Sequence, residues 1–214
     1  MNSRITISLV VVAALAVVGI VVLRKSGSSF DQRACTGTTF TLTGALLPTF
    51  DYAELRETDN EKPLEMSGER CRGAKDKGDC ERKVASRSSK EGWRNGSDGR
   101  RPGHHYLVAT RGDDVFLIDN VMIKLPLALA PIDSPAKAAA IAFVERGIAP
   151  SCEGSVRAVE QGFEVHLKTD SCRGPTDEIL RVSTEGALEV VKSDVKPPTC
   201  VGARETKQPA ASGV

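Results

Sequence analysis

The chain has 214 residues, of which 40% are apolar, 4% are aromatic and 27% are charged, and its formal net charge is +1. That length suits one ordinary domain, or two small ones, beside a membrane segment. The near-balance of charge argues against a dedicated polyanion binder, so nucleic acid is not an expected partner.

The first informative segment is an uncharged apolar run at residues 5–23, ITISLVVVAALAVVGIVVL. As a helix that rises about 1.5 Å per residue, it is long enough to cross a hydrocarbon core of roughly 30 Å. A cleaved signal peptide is the alternative, but its apolar part is usually shorter, and no A-x-A-like site stands directly before Arg24, at the end of the run. We predict a signal-anchor transmembrane helix within residues 1–25, in contact with membrane lipid, and a flexible spacer at residues 26–33.

Six cysteines follow the apolar run, and none of them forms a C-x-x-C pair. An even number of scattered cysteines after an exported segment is typical of disulfides in an oxidising compartment. The composition favours a bacterium, so we expect a single-pass inner-membrane protein with its C-terminal domain in the periplasm. The predicted bridges are Cys71–Cys80, Cys152–Cys172 and Cys35–Cys200, of which only the two local ones have support from spacing.

The first part of the exported domain, residues 34–131, is predicted to be rich in β-structure. TGTTFTLTGALL, at residues 36–47, favours a strand that Pro48 ends. Residues 51–56 fit either a helical turn or a second short strand. Residues 57–103 have few large apolar side chains and an excess of basic ones, which predicts a long Gly/Ser-rich loop, either a disordered insertion or a functional segment.

HHYLVATRGDDVFLIDN, at residues 104–120, predicts a β-hairpin with RGDD at its turn. The tripeptide Arg111-Gly112-Asp113 matches an adhesion sequence, but a hairpin turn requires the same residue types. VMIKLPL follows, and Pro126 and Pro131 are interpreted as the end of this unit.

Residues 132–194 are predicted to form a helix and an antiparallel meander. Ser134 is a good N-cap, Pro135 suits the first helical position, and Gly147 suits the left-handed stop. The following stretch alternates like a half-buried strand, and a turn at Gln161-Gly162 would place Val156 opposite Leu167. Another hairpin is predicted around Thr184-Glu185-Gly186.

The predicted fold class is therefore α+β, with one N-terminal transmembrane helix and a disulfide-stapled domain whose helix packs on an antiparallel β-meander. The element order from Ser134 to Lys192 is similar to the helix-plus-meander unit of PepSY-like domains. This resemblance concerns the order of elements alone and implies no activity and no site residues. Residues 195–214 are predicted to be a mostly disordered tail.

Catalytic motifs are scarce. The chain has three histidines, His104, His105 and His166, and no G-x-S-x-G or nucleotide-binding glycine motif. Adjacent histidines on a strand point to opposite faces, which disfavours a metal site at His104-His105. We therefore predict no catalytic residue, no metal and no cofactor, and we leave enzymatic activity uncertain and less favoured.

Three functions stay open. The leading expectation is a membrane-anchored periplasmic interaction or assembly module, without catalytic activity, whose partner is another envelope protein. The second is an envelope hydrolase that uses carboxylates from Asp51, Glu54 or Asp113-Asp114. The third is binding of anionic headgroups or cell-wall polymer by the basic loop. The candidate residues for that third function are Arg82, Lys83, Arg87, Lys90, Trp93, Arg94, Arg100 and Arg101.

Overall fold

The computed structural model describes residues 34–58, 60–93, 104–169 and 175–197. Within them the chain is α+β, and its sheets are antiparallel. The strands are β1 (Cys35–Thr36), β2 (Thr39–Phe40), β3 (Tyr52–Glu57), β4 (Asn60–Gly68), β5 (His105–Arg111), β6 (Asp114–Ile118), β7 (Val156–Val159), β8 (Gly162–Thr169), β9 (Thr176–Val182) and β10 (Leu188–Val195). The helices are α1 (Leu42–Leu46), α2 (Lys77–Ser86), α3 (Val121–Leu129) and α4 (Pro135–Arg146).

Helix α4 lies between two four-stranded sheets. The first sheet has the order β4-β3-β5-β6 and the second the order β10-β9-β8-β7. On one side α4 contacts β7, β8 and β9, and on the other it contacts α1 and α3. Its five alanines at 136, 138, 139, 140 and 142 are fully buried. Because alanine is small, neighbouring elements approach this helix closely from both sides, and one core joins the two sheets.

The local signals for α4 are confirmed. The Ser134 hydroxyl accepts a hydrogen bond from the amide of Lys137 at 3.4 Å, and Gly147 ends the helix with φ of 65°. The predicted hairpin around Thr184-Glu185-Gly186 is also present, as β9 and β10. The same holds for the hairpin with RGDD at its turn, as β5 and β6. Residues 51–56, for which two interpretations were open, form most of strand β3.

The hairpin that follows α4 forms with a different register from the predicted one. Val156 pairs with Val165, not Leu167, and the turn lies at Glu160-Gln161. Gly162 is instead the first residue of β8, with φ of +132°. A Cβ at this position would lie 2.1 Å from the Val182 carbonyl oxygen of the neighbouring strand, so close strand packing requires glycine here.

The segment at 36–47, predicted as a strand, contains two very short strands and helix α1. Every residue of α1 is buried between α4 and the first sheet. The cap of this helix comes from β4: Glu65 Oε1 accepts hydrogen bonds from the Thr43 amide at 2.6 Å and the Thr43 hydroxyl at 2.7 Å. This distant carboxylate satisfies an amide of the first turn, which the local sequence does not.

The region predicted as a long loop, residues 57–103, contains strand β4 and helix α2 within its described part. Helix α2 has its own cap, because the Asp76 carboxylate accepts a hydrogen bond from the Asp79 amide at 2.8 Å. Cys80 and Val84 of this helix are buried against the outer face of the first sheet. The segment is therefore a second small core, on the face of the sheet opposite α4.

The structure confirms one predicted disulfide and corrects another pairing. Cys71 and Cys80 are joined, as the local spacing predicted. Cys35 is bonded to Cys152, with Cα atoms 6.1 Å apart, so the predicted pairs Cys152–Cys172 and Cys35–Cys200 are wrong. The reason is tertiary: the first strands lie next to the segment that leads from α4 to β7. Cys172 and Cys200 themselves lie outside the described residues.

Among the residues that the structure describes, no helix is long and apolar enough to span a membrane. The predicted anchor at 5–23, the spacer at 26–33 and the tail beyond residue 197 lie outside that part of the chain. The anchor therefore stays a prediction.

Candidate functional site

Of the four predicted carboxylates, Asp51, Glu54 and Asp113 hold parts of the fold together, and Asp114 is exposed at the start of β6. Asp51 accepts a hydrogen bond from the Gly112 amide at 2.8 Å, and Asp113 accepts one from the Lys75 amide at 2.6 Å. The first bond fixes the β5–β6 turn to the residue before β3, and the second fixes it to the segment before α2. The Arg-Gly-Asp tripeptide belongs to this turn, so its aspartate is engaged within the domain.

Glu54 lies at the centre of a buried ionic cluster. Its side chain is fully buried and contacts Arg56. It also accepts two hydrogen bonds, one from Arg70 at 3.0 Å and one from the Tyr52 hydroxyl at 2.7 Å. Burial raises the pKa of the Tyr52 phenol, partly opposed by the hydrogen bond from Arg70. Arg56 also donates to the carbonyls of Val84 and Arg87 and so joins the sheet to α2. This carboxylate is surrounded by its partners, an arrangement that stabilises α2 on the sheet.

The candidate basic residues do not form a single cluster within the described residues. Arg82 and Lys83 both contact Asp79, at 3.3 and 2.7 Å. The carbonyl of Arg87 accepts from Arg56, and Lys90 is exposed. Trp93 packs against the core and bridges to His105, which places it as an anchor for the end of this segment. Arg94, Arg100 and Arg101 lie outside the described residues.

The outer face of the second sheet carries a row of alternating charges across all of its strands. Arg157 contacts Glu164, which accepts from Arg181 at 2.9 Å, and Arg181 reaches Glu189 at 3.4 Å. The hydrogen bonds from Arg181 and Arg157 hold the pKa of Glu164 below its usual value. Beside this row, His166 Nε2 lies 2.8 Å from Asp177, and that hydrogen bond lowers the pKa of Asp177.

No group of three His, Cys, Asp or Glu side chains suited to a metal ion occurs in the described ranges. His166 has no nucleophilic side chain among the hydrogen-bond partners that are resolved for it. Its place on the outer face of the sheet, half-exposed and hydrogen-bonded to a carboxylate on the next strand, fits a cross-strand polar pair.

The feature with the clearest capacity for binding is an apolar groove between α3, α4 and the start of β10. It encloses a cavity of about 190 Å³. The residues that line it are Val121, Met122, Leu125, Pro126, Ile141, Val144, Glu145, Gly186 and Leu188. All but Glu145 are apolar or glycine, as is usual for pockets that bind apolar groups.

The shape of the groove depends on Gly186 in the β9–β10 turn. This residue has φ of +86°, and a Cβ on it would lie 2.8 Å from the Pro126 Cβ. The turn and α3 therefore meet at one end of the groove. At the other end of the same face, Glu178 joins Arg146 at 3.1 Å and Ser193 at 2.9 Å.

Large apolar side chains extend from the groove onto the surface. On α3, Met122, Ile123 and Leu127 are 52%, 60% and 74% exposed. On β10, Val190 is 44% exposed and lies two positions beyond Leu188 on the same face. The groove, with Met122 and Val190 at its margins, is called here the α3–β10 groove.

Sequence reasoning missed this groove because α3 was not predicted. Pro126 was interpreted as the end of the preceding unit, whereas it lies inside the helix. The signal was present in VMIKLPLAL, since Val121, Leu125 and Leu129 recur at helical spacing and are buried. The exposed side of the helix is also apolar, with Met122, Ile123 and Leu127. A helix that only covers the core would carry polar residues on that side.

Comparison with protein-family models, with curated proteins and with solved structures finds no match.

Proposed function

We propose that this protein is a membrane-anchored interaction or assembly module, without catalytic activity, that binds another envelope protein through the α3–β10 groove. The anchor is the apolar run at residues 5–23, and the folded domain would lie in the periplasm, on the outer side of an inner membrane. The observation that carries the proposal is the cavity of about 190 Å³, lined almost entirely by apolar side chains and continuous with exposed ones. Surfaces of this kind mark binding sites on folded domains.

The disulfides support the location. Two bridges join described cysteines. The cysteines of one bridge are 117 positions apart in the chain, and those of the other are 9 positions apart. Structural disulfides of this kind persist in oxidising compartments and are rare in a reducing cytosol. An exported domain is consistent with them and with the uncharged N-terminal run.

The two alternative functions, a hydrolase and a binder of anionic headgroups, have less support from the contacts of the described side chains. A hydrolase would need carboxylates free to exchange protons with a substrate, whereas Glu54 is enclosed by two arginines. Headgroup binding by the basic segment would need unpaired cations, whereas Arg82 and Lys83 share Asp79. No described contact favours either function over partner binding.

The proposal is tested by crosslinking in the native host. Cells would express the full chain or a control in which residues 1–33 are fused to an unrelated exported domain, and crosslinked proteins would be identified by mass spectrometry. We expect an envelope protein that is enriched by the full chain over the control. Equal recovery by both chains would contradict the proposal, as would release of the full chain from membranes by alkaline carbonate.

A further inference from the structure

Among the residues that the structure describes, strand β10 is an edge strand, and no helix covers it beyond Leu188. It pairs with β9 and lies at the end of the second sheet. Helix α4 covers β7, β8 and β9, and all residues of β10 after Leu188 are exposed. Among them are Val190, Val191 and Val195, so this edge carries apolar side chains next to backbone groups that face solvent. Such an edge is a template for another strand unless it is protected.

The pairing of β10 with β9 is interrupted once, directly beyond the part of the strand that lies beside the groove. Leu188 pairs with Val182, and Val190 pairs with Leu180, so both face the helices. The register then shifts between Val190 and Lys192. Regular pairing with β9 resumes at Lys192, but a bulge of this kind twists the strand and interrupts the row of hydrogen-bonding groups that a further strand would need. An added strand would therefore pair with the Leu188–Val190 half, directly beside the cavity.

The charges near this edge distinguish between possible occupants. Glu189 is 69% exposed and has one long contact, with Arg181 at 3.4 Å, and Asp194 is exposed. Glu145 lies in the wall of the groove, 3.4 Å from Arg146. Lys192 is directed to Asp177 at 3.6 Å. If two copies of β10 paired antiparallel along Leu188–Val190, Glu189 of one copy would face Glu189 of the other, and like charges in that position are unfavourable. The edge therefore suits a basic partner better than a second copy of itself.

We propose that the α3–β10 groove binds an extended segment of the partner protein, which adds to the sheet beside β10 and alternates apolar with basic residues. The backbone of the segment hydrogen-bonds along Leu188–Val190, and one apolar side chain enters the cavity between α3 and α4. Basic side chains on the other face of the segment approach Glu189. Backbone pairing provides affinity in this mode of recognition, and the cavity and charges provide specificity.

This inference rests on the proposed function and identifies the chemistry of the partner. Its test uses the full chain in lipid nanodiscs, a display library of random short peptides, and two variants, Val190→Lys and Val195→Lys. Both valines are exposed, at 44% and 60%, on the same strand, but Val190 is two positions from Leu188, which lines the groove, and Val195 is seven positions from it. A lysine on an edge strand opposes pairing with another strand.

We expect enriched peptides that alternate apolar residues with Lys or Arg. Their affinity should fall by about tenfold or more for Val190→Lys, which corresponds to about 1.4 kcal/mol, and stay unchanged for Val195→Lys. Hydrogen exchange at Leu188–Val190 should slow when such a peptide is added. Both variants change exposed residues, so urea unfolding should give midpoints close to that of the native chain.

Several outcomes would overturn the inference. One is a library that yields no enriched peptide. Another is enrichment of peptides that have helical periodicity or acidic residues. A third is an equal loss of peptide affinity in the two variants. A photoactivatable phospholipid that labels α3 in the nanodiscs, with no peptide bound, would show that lipid covers the groove. If an envelope partner is recovered from cells and survives Val190→Lys, the proposed function stands and strand addition is wrong. If peptides bind as expected but cells yield no partner, strand addition at the groove stands and the proposed function is wrong.

Discussion

Cys35 and Cys152 are joined by a disulfide, although 117 positions separate them in the chain. This bridge links β1 to the segment that precedes β7, and so closes a loop that contains the first sheet, α1, α2, α3 and α4. The other bridge, Cys71–Cys80, closes a loop with a separation of only 9. The two bridges therefore differ in how much of the unfolded chain they restrict.

The two disulfides should differ in their effect on stability. In the chain-entropy treatment, removal of the long-loop bridge by Cys35→Ser with Cys152→Ser should lower the free energy of unfolding by about 5 kcal/mol. Removal of the short-loop bridge by Cys71→Ser with Cys80→Ser should lower it by about 2.5 kcal/mol. Urea unfolding of both double variants gives the comparison. Equal losses would argue that native-state packing, and not loop length, sets the effect.

The two remaining cysteines are expected to pair with each other. Pro175 and Lys196 are hydrogen-bonded across the β9–β10 hairpin at 3.0 Å. Cys172 precedes Pro175 by three positions, and Cys200 follows Lys196 by four. Peptide mapping of the oxidised, alkylated protein without reduction should recover a Cys172–Cys200 fragment beside the two bridges already described. Alkylated Cys172 or Cys200 in quantity would contradict this expectation.

Glu54 should be one of the most sensitive positions in the domain. Glu54→Gln removes the negative charge between Arg56 and Arg70, and leaves the buried Arg56 without a charged partner among the described residues. Loss of one member of a buried ion pair costs about 3 kcal/mol or more of unfolding free energy. Glu69→Gln is the matched control, because Glu69 is 62% exposed and only approaches Lys77 at 3.9 Å. Two variants of equal stability would show that the cluster is not important for folding.

The charged row on the second sheet predicts a dependence of stability on pH. The pKa of Glu164 is lower in the folded chain than its ordinary value, because Arg181 and Arg157 donate to it. Its contribution is therefore fully present above the unfolded-state pKa of about 4.3 and is lost as the pH falls through the lower folded-state pKa. At neutral pH, Glu164→Gln should lower the free energy of unfolding by about 1 kcal/mol.

This prediction is checked by urea unfolding of the native chain and Glu164→Gln between neutral pH and pH of about 3. The difference in unfolding free energy should shrink as the pH falls below the unfolded-state pKa. Glu189→Gln is the control, since the Glu189 side chain is 69% exposed and its contact with Arg181 is 3.4 Å. A difference that stays constant over this range would mean that the charge of Glu164 does not contribute.

Local sequence by itself determined the elements that have their own signals. Ser134, Pro135 and Gly147 delimit α4 because capping groups act on the nearest turn of backbone. The alternation in β8 likewise predicted that strand, and the turn residues Thr184-Glu185-Gly186 predicted the β9–β10 hairpin. The nine-residue spacing of Cys71 and Cys80 predicted their bridge. Each of these depends on interactions within a few positions along the chain.

Tertiary contacts decided the rest. Helix α1 forms in a β-prone sequence because Glu65 of a distant strand caps it and α4 buries it. Helix α3 continues through Pro126 because its apolar side packs into the core. The partner of Cys35 and the α3–β10 groove depend on segments that meet only after folding. Burial and long-range hydrogen bonds outweigh local propensities of about 1 kcal/mol, which is why these features could not be predicted from the sequence.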